Sequence, residues 1–189
     1  MRSCPDPVPL PEPGRLRLRR IDERDVGALV QLDSDPEVIR YVSAEPPPDA
    51  TTVRRQILPH MVETFAHSPF GYFAALDPAA DDAFVGWFHL RPDVDGADVL
   101  DLGFRLSREV WGRGLATEGG RSLVEWGFAH AGVRRITGHC LEDNVASARV
   151  LQKCGLRFAR RFVVPSWRLP GWPVSRRVGM GYALDRPGR

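Results

Sequence analysis

Three short apolar runs in quick succession, GYFAAL (71–76), AFVGWFHL (83–90) and VLDLGFRL (99–106), constrain this chain more than any other feature. The segments between them, DPAADD and RPDVDGAD, are turn chemistry, rich in aspartate with proline and glycine at the reversals. Runs this short, bounded this way, predict strands of an antiparallel meander. A sheet in the middle of a chain must be covered, and the flanking segments carry the cover. Asp22 is placed to cap a helix to about Leu32 with Val26, Leu29 and Val30 inward. Pro36 opens a short helix over 36–41. Asp49 caps a helix over 50–66 in which Val53, Ile57, Met61 and Phe65 recur every four residues, with Pro59 expected to kink it.

Outside these segments, LRLRRI from Leu16 reads as a first strand, RRITGHCL (134–141) as another, and 157–168 and 175–184 as a last pair around the turn-rich LPGWPVS. Helices are predicted over 116–131, ended by Gly132, and over 144–154, ended by Gly155. The expected architecture is one mixed α/β (α+β) domain over 15–186, following a proline-rich lead at 1–14 that reads as extended and poorly ordered. A chain of 189 residues is ample for a real core.

Its net charge of +2 gives no footprint for dedicated nucleic-acid binding. No apolar run approaches the ~20 residues of a membrane span, and the lead lacks a signal peptide's apolar core. Cys4, Cys140 and Cys154 have no metal spacing and suit a reduced compartment, so a cytoplasmic location without a metal is expected.

The strand at 99–106 runs into VWGRGLATEGG, which has four glycines in eleven residues and then a helical pattern. A helix N-terminus offers unpaired N–H groups and roughly half a positive charge. Glycine lets an anion approach such groups. Gly112, Arg113, Gly114, Ala116 and Thr117 are thus candidate donors to a phosphate or pyrophosphate, with the Thr117 hydroxyl beside them. A Walker loop would end in Gly-Lys-Ser/Thr, and a Rossmann fingerprint would need a third glycine and a βαβ setting. Both nucleotide readings, ATP and NAD, fit poorly. A tight turn with no ligand is the simpler alternative.

DLGFRLSREVWGRGLATEGGRSLVEWGF followed by RRITGHCLEDNVASARVLQKCGLRF resembles the GNAT N-acetyltransferase superfamily, and within it the ribosomal-protein-N-acetyltransferase-like (Rim-type) branch. The family's phosphate loop reads Gln/Arg-x-x-Gly-x-Gly/Ala; here it is matched by Trp111-Gly112-Arg113-Gly114-Leu115-Ala116, with tryptophan in first place. The resemblance implies a splayed, mostly antiparallel sheet flanked by helices, with acetyl-CoA as cofactor and coenzyme A as product. It implies backbone pairing of Phe104, Arg105 and Leu106 with pantetheine amides, and polarisation of the acetyl carbonyl by an N–H near Leu106. Asn144 would reach the pantetheine or a water, cap the next helix, or do both.

Acetyl transfer to an amine needs a route for the amine's proton and for the leaving thiolate. Where the family often carries Glu-Leu-Gly-Tyr, this chain has Asp101-Leu102-Gly103-Phe104. Asp101 is therefore one candidate base, a methylene shorter and suited to act through a water, with a strand-edge ion pair as its structural alternative. His139 is a second candidate and His89 a weaker third. The family's acidic tyrosine falls at Leu151, which leaves Ser147, the branch's usual substitute, or water as the acid. The acceptor amine, a protein N-terminus or a small molecule, is left open. Trp167 and Trp172 near the end offer a grip for an acceptor or for a second copy of the chain in a homodimer. The rival reading is a regulatory module that binds acyl-CoA without turnover.

Overall fold

A computed structural model of the chain describes residues 9–43, 45–130 and 132–188. Cys4 and most of the expected lead lie outside the described residues. In its described part, the Pro9 carbonyl accepts a 2.9 Å hydrogen bond from the Trp126 indole, and Leu10 packs on the core.

The strands are β1 (Arg17–Arg20), β2 (Gly71–Asp77), β3 (Ala83–Asp93), β4 (Gly96–Leu106), β5 (Arg135–Leu141), β6 (Arg157–Val163) and β7 (Val178–Asp185). They form one seven-stranded sheet in the order β1-β2-β3-β4-β5-β7-β6. Only β4 and β5 pair in parallel; every other neighbour is antiparallel. The meander forms as its turn residues predict, but β3 and β4 run beyond their apolar stretches, because Arg91 and Pro92 continue the ladder opposite Asp101 and Leu100. The strand expected over 157–168 stops at Val163, and β7 inserts between β5 and β6.

Four helical segments, α1 (Val26–Asp33), α2 (Pro36–Ile39), α3 (Ala50–Thr52) and α4 (Leu58–Glu63), bring Val26, Leu29, Val53, Leu58 and Met61 to one face of the sheet, against Tyr72 and Trp87. On the other face, α5 (Leu115–Ala129) and α6 (Val145–Lys153) bring Leu115, Leu123 and Leu151 onto Phe88, Leu90, Leu100, Leu102 and Ile136. The alternation of β3 and β4 divides the cores: Phe88, Leu90, Leu100 and Leu102 face α5 and α6. Asp22, Asp35, Asp49 and Asn144 each accept an N–H of the following turn, so these starts were legible locally.

The helix expected over 50–66 is not simply kinked. A π-helical segment, Val53–Ile57, separates α3 from α4, and the Leu58 N–H reaches back to the Val53 carbonyl. Pro59 has no N–H to donate and its ring crowds the carbonyl four residues back; the wider turn just before it removes both conflicts. At the end of α5 the helix stops at Ala129 and His130 turns extended, short of the expected Gly132.

Gly119 shows why α5 tolerates glycine. A Cβ there would lie 2.5 Å from the ring of Phe88, which is fully buried. Alanine would gain about 1 kcal/mol of helix propensity. Overpacking a closed core costs about 1–3 kcal/mol, so the clash wins. Gly119→Ala is therefore expected to lower the thermal midpoint, by differential scanning calorimetry, against the direction that propensity alone predicts.

Candidate functional site

Strands β4 and β5 pair only over Val99–Asp101 and Arg135–Thr137, and beyond that point β4 has no ladder partner on its β5 side. The Ser107 N–H donates to the Val85 carbonyl at 2.9 Å, and Arg105 stands opposite Trp87. Alternation along β4 then turns the backbone of Arg105 toward β3, and that of Phe104 and Leu106 into the gap. Arg105, grouped above with its two neighbours, thus spends its backbone inside the sheet. Its guanidinium pairs with Asp33 at 2.5 Å and lies over the Trp87 ring, tying β4 to the end of α1.

At the open end of the gap the chain enters the glycine loop. Gly112 (φ 74°) and Gly114 (φ 81°) both adopt the left-handed conformation, and a side chain on Gly112 would meet nothing within 4 Å. Among the described residues, the N–H groups of Gly112, Arg113, Gly114, Leu115 and Ala116 find no partner. The Thr117 N–H is committed to the Gly114 carbonyl at 3.1 Å, so only its hydroxyl remains on offer. Trp111 braces this loop: its indole donates to the Leu106 carbonyl at 2.8 Å. Arg15 does the same from the far end of the sequence, gripping Glu118 through its backbone N–H (2.6 Å) and guanidinium (2.7 Å) and donating to the Arg113 carbonyl at 3.0 Å. No local pattern marks Arg15, which lies about a hundred residues from its partners.

Where the two strands part, Asp101 collects three donors. His139 Nδ1 lies 3.3 Å from one carboxylate oxygen, while His89 Nε2 (3.1 Å) and Arg91 (2.9 Å) share the other. Gly103 makes room: a Cβ there would fall 2.5 Å from the His89 ring. Burial, the largest influence, pushes the Asp101 carboxyl up. The hydrogen bonds from His139 and His89 and the Arg91 guanidinium outweigh it and hold the group well below the usual carboxylate range. Asp101 is an anion with both oxygens occupied, which makes it a poor proton acceptor. An ionised carboxylate only accepts, so the His139 Nδ1 that faces it carries a proton. His89 has its Nδ1 buried without a partner, against Trp87 and Tyr72. Of the three candidates, His139 alone lines a cavity, together with Thr137 and Gly181.

On α6, the Asn144 side-chain oxygen accepts the Ser147 N–H at 3.1 Å, leaving its amide donor spare. Ser147 is half-buried, and among the described residues its hydroxyl has no partner. Leu151 is fully buried in the core, so the place of the family's tyrosine is taken up by packing. Arg91 was not legible in the sequence as a site residue; only the β3–β4 register puts it opposite Asp101. Among the described residues no group of three or more His, Cys, Asp or Glu is placed to hold a metal, and no helix is long and apolar enough to cross a membrane.

The depressed folded value of Asp101 has a pH signature. Ionised Asp101 stabilises the fold above its ordinary value of 3.8, and this contribution is lost as pH falls through the lower folded value. Asp101→Asn should therefore melt below the parent at pH 7, and the gap should narrow progressively once the pH falls below about 4, as followed by circular dichroism.

Known proteins similar to this chain share one family and fold. The family model for the acetyltransferase (GNAT) domain matches residues 15–157. The FsC-acetyl coenzyme A-N(2)-transacetylase of Aspergillus fumigatus is 31% identical over 140 residues, which are 70% of this chain and 58% of that protein. The chain thus spans little more than half the length of that relative. A GNAT-family acetyltransferase from Bacillus anthracis superposes with a TM-score of 0.75 at 20% identity, covering 93% of this chain and 98% of the other. The spermidine N-acetyltransferase of Vibrio cholerae, solved with CoA and spermine, gives a TM-score of 0.71 at 14% identity over 91% of this chain and 96% of that one. With a family model matched over most of its length, the chain belongs to the acetyltransferase (GNAT) domain family.

Proposed function

We propose that residues 15–186 form one catalytic unit that acetylates a primary amine by direct attack within a ternary complex. The observation that carries this reading is the row of unpartnered N–H groups from Gly112 to Ala116, set at the open end of the β4–β5 gap. That cradle fits a pyrophosphate: it offers several donors at a helix N-terminus, and a side chain at Gly112 would point into open space. The gap beside it leaves the Phe104 N–H and carbonyl for a pantetheine arm, with the Asn144 amide on the opposite side. When bound, acetyl-CoA supplies a thioester carbonyl carbon that an amine can attack.

The rest is done by the chain's own residues. His139 Nε2 takes one proton from the incoming ammonium, and Asp101 holds the ring in the tautomer that makes this work, with His89 and Arg91 holding Asp101. As the nitrogen–carbon bond forms and the carbon–sulfur bond breaks, the Leu106 N–H meets the charge growing on oxygen. The Ser147 hydroxyl, or a water in its place, protonates the departing thiolate and is reprotonated by the second proton that the attacking nitrogen sheds. Relative to ammonium and thioester, the products are amide, thiol and one proton. A covalent acetyl-enzyme is disfavoured, because burial pushes both described thiols, Cys140 and Cys154, up to about 11, and a protonated thiol is a poor nucleophile. The Trp-Gly-Arg-Gly order of the loop and Ser147 beside Asn144 favour the Rim-type branch.

Two variants separate binding from chemistry. Gly112→Asp puts a side chain and a negative charge into the anion cradle, and is expected to abolish the thermal shift with acetyl-CoA while the apo protein stays folded. His139→Gln should retain that shift and lose about 100-fold in kcat for amine-dependent CoA release. A parent protein that binds acetyl-CoA but releases CoA with no amine would instead be an acyl-CoA-binding regulatory module.

A further inference from the structure

From His139, just past the point where β4 and β5 part, the same sheet face runs back over β5, β7 and β6, along the end where the two strands are still paired, into a cavity of about 350 Å³. That volume suits a small metabolite. Three arginines line it, Arg134, Arg135 and Arg160, with Asp95 as its one carboxylate. Two of the three are already engaged: Arg134 pairs with Asp98 at 2.7 Å, and Arg135 pairs with Asp185 at 2.6 Å and lies in the field of Asp95.

Arg160 differs. Among the described residues it has no carboxylate partner, and its guanidinium lies over the Phe162 ring, 5.2 Å from the centroid. Phe162 in turn meets His139 edge to face at 5.6 Å. Gly181 sits between the two polar groups: the place its side chain would fill is 3.4 Å from His139 Cδ2 and 3.5 Å from Arg160 Nε. The absence of a side chain there opens a short path from the basic nitrogen to an uncommitted cation.

We infer that the acceptor is a small primary amine that also carries an acidic group, a carboxylate or a phosphate, which Arg160 receives while the amine faces His139. This rests on the proposed function and adds its substrate class. Arginine matches both anions with paired donors, and the aromatic support from Phe162 orders the fork in advance. A polyamine would instead set its further positive charges against the arginines of this cavity.

The test uses the full chain, acetyl-CoA and matched acceptors. These are β-alanine against β-alaninamide, 2-aminoethyl phosphate against ethanolamine, and spermidine as the cationic acceptor. The acid of each pair is expected to have a kcat/KM about tenfold above its neutral partner, carried by KM, and whichever acid leads identifies the anion. Arg160→Gln should erase that ratio, and Arg160→Glu should invert it in favour of spermidine, which a merely structural role for Arg160 would not produce. Neutral or cationic amines used as well as the acids, or an unchanged ratio in both variants, would overturn the acid subsite and leave acetyl transfer standing. Binding of acetyl-CoA without acetylation of any amine would bring down the proposed function, and this inference with it.

Discussion

The structure depends on a parallel pairing that ends early. β4 and β5 share three register positions and then separate, so the backbone of Phe104 and Leu106 faces a gap instead of a neighbouring strand. Unmet backbone polar groups cost about 1–3 kcal/mol each when buried. A fold keeps such a gap only where something else supplies partners. The fold can afford it because both faces of the sheet stay closed: one core lies under α1 to α4, and the other, under α5 and α6, runs across both halves from Phe73 to Tyr182. The glycine loop at the mouth of the gap is held from both sides, by Trp111 on the end of β4 and by Arg15 through Glu118.

The polar cluster at the vertex follows from the same geometry. Asp101 is the last β4 residue paired with β5, so it stands level with Arg91 on one neighbour and Thr137 on the other. His89 and His139 lie two positions further along those strands, and their rings converge on its carboxylate from opposite sides. A carboxylate so fully engaged is an orienting group. Its engagement is what assigns a proton to the Nδ1 of His139.

Local chemistry made much of this legible. Turn residues marked the meander, aspartates marked the helix starts, and the glycine loop after a strand marked the anion cradle, because each of those signals acts over a few residues. The response to Pro59 was half legible: proline announced a disturbance, but the π turn that absorbs it was chosen by how α3 and α4 seat Val53 and Leu58 in one core. In the site, Asp101 and His139 were visible as titratable groups on predicted strands, yet how fully the Asp101 carboxylate is engaged was not. That depends on Arg91 and His89, whose positions are set by register across β3 and β4.

By itself the sequence determined the meander, the caps, the loop that offers its N–H groups to an anion, and the resemblance that named the family. These are properties of neighbouring residues, carried by dihedral preference and short-range hydrogen bonding. Only the tertiary structure decided that β7 enters between β5 and β6, that the Thr117 N–H is spent on Gly114, and that Arg160 and His139 both flank Gly181. Those are contacts between residues far apart in the chain. Strand order and register bring them together, and no local pattern encodes either.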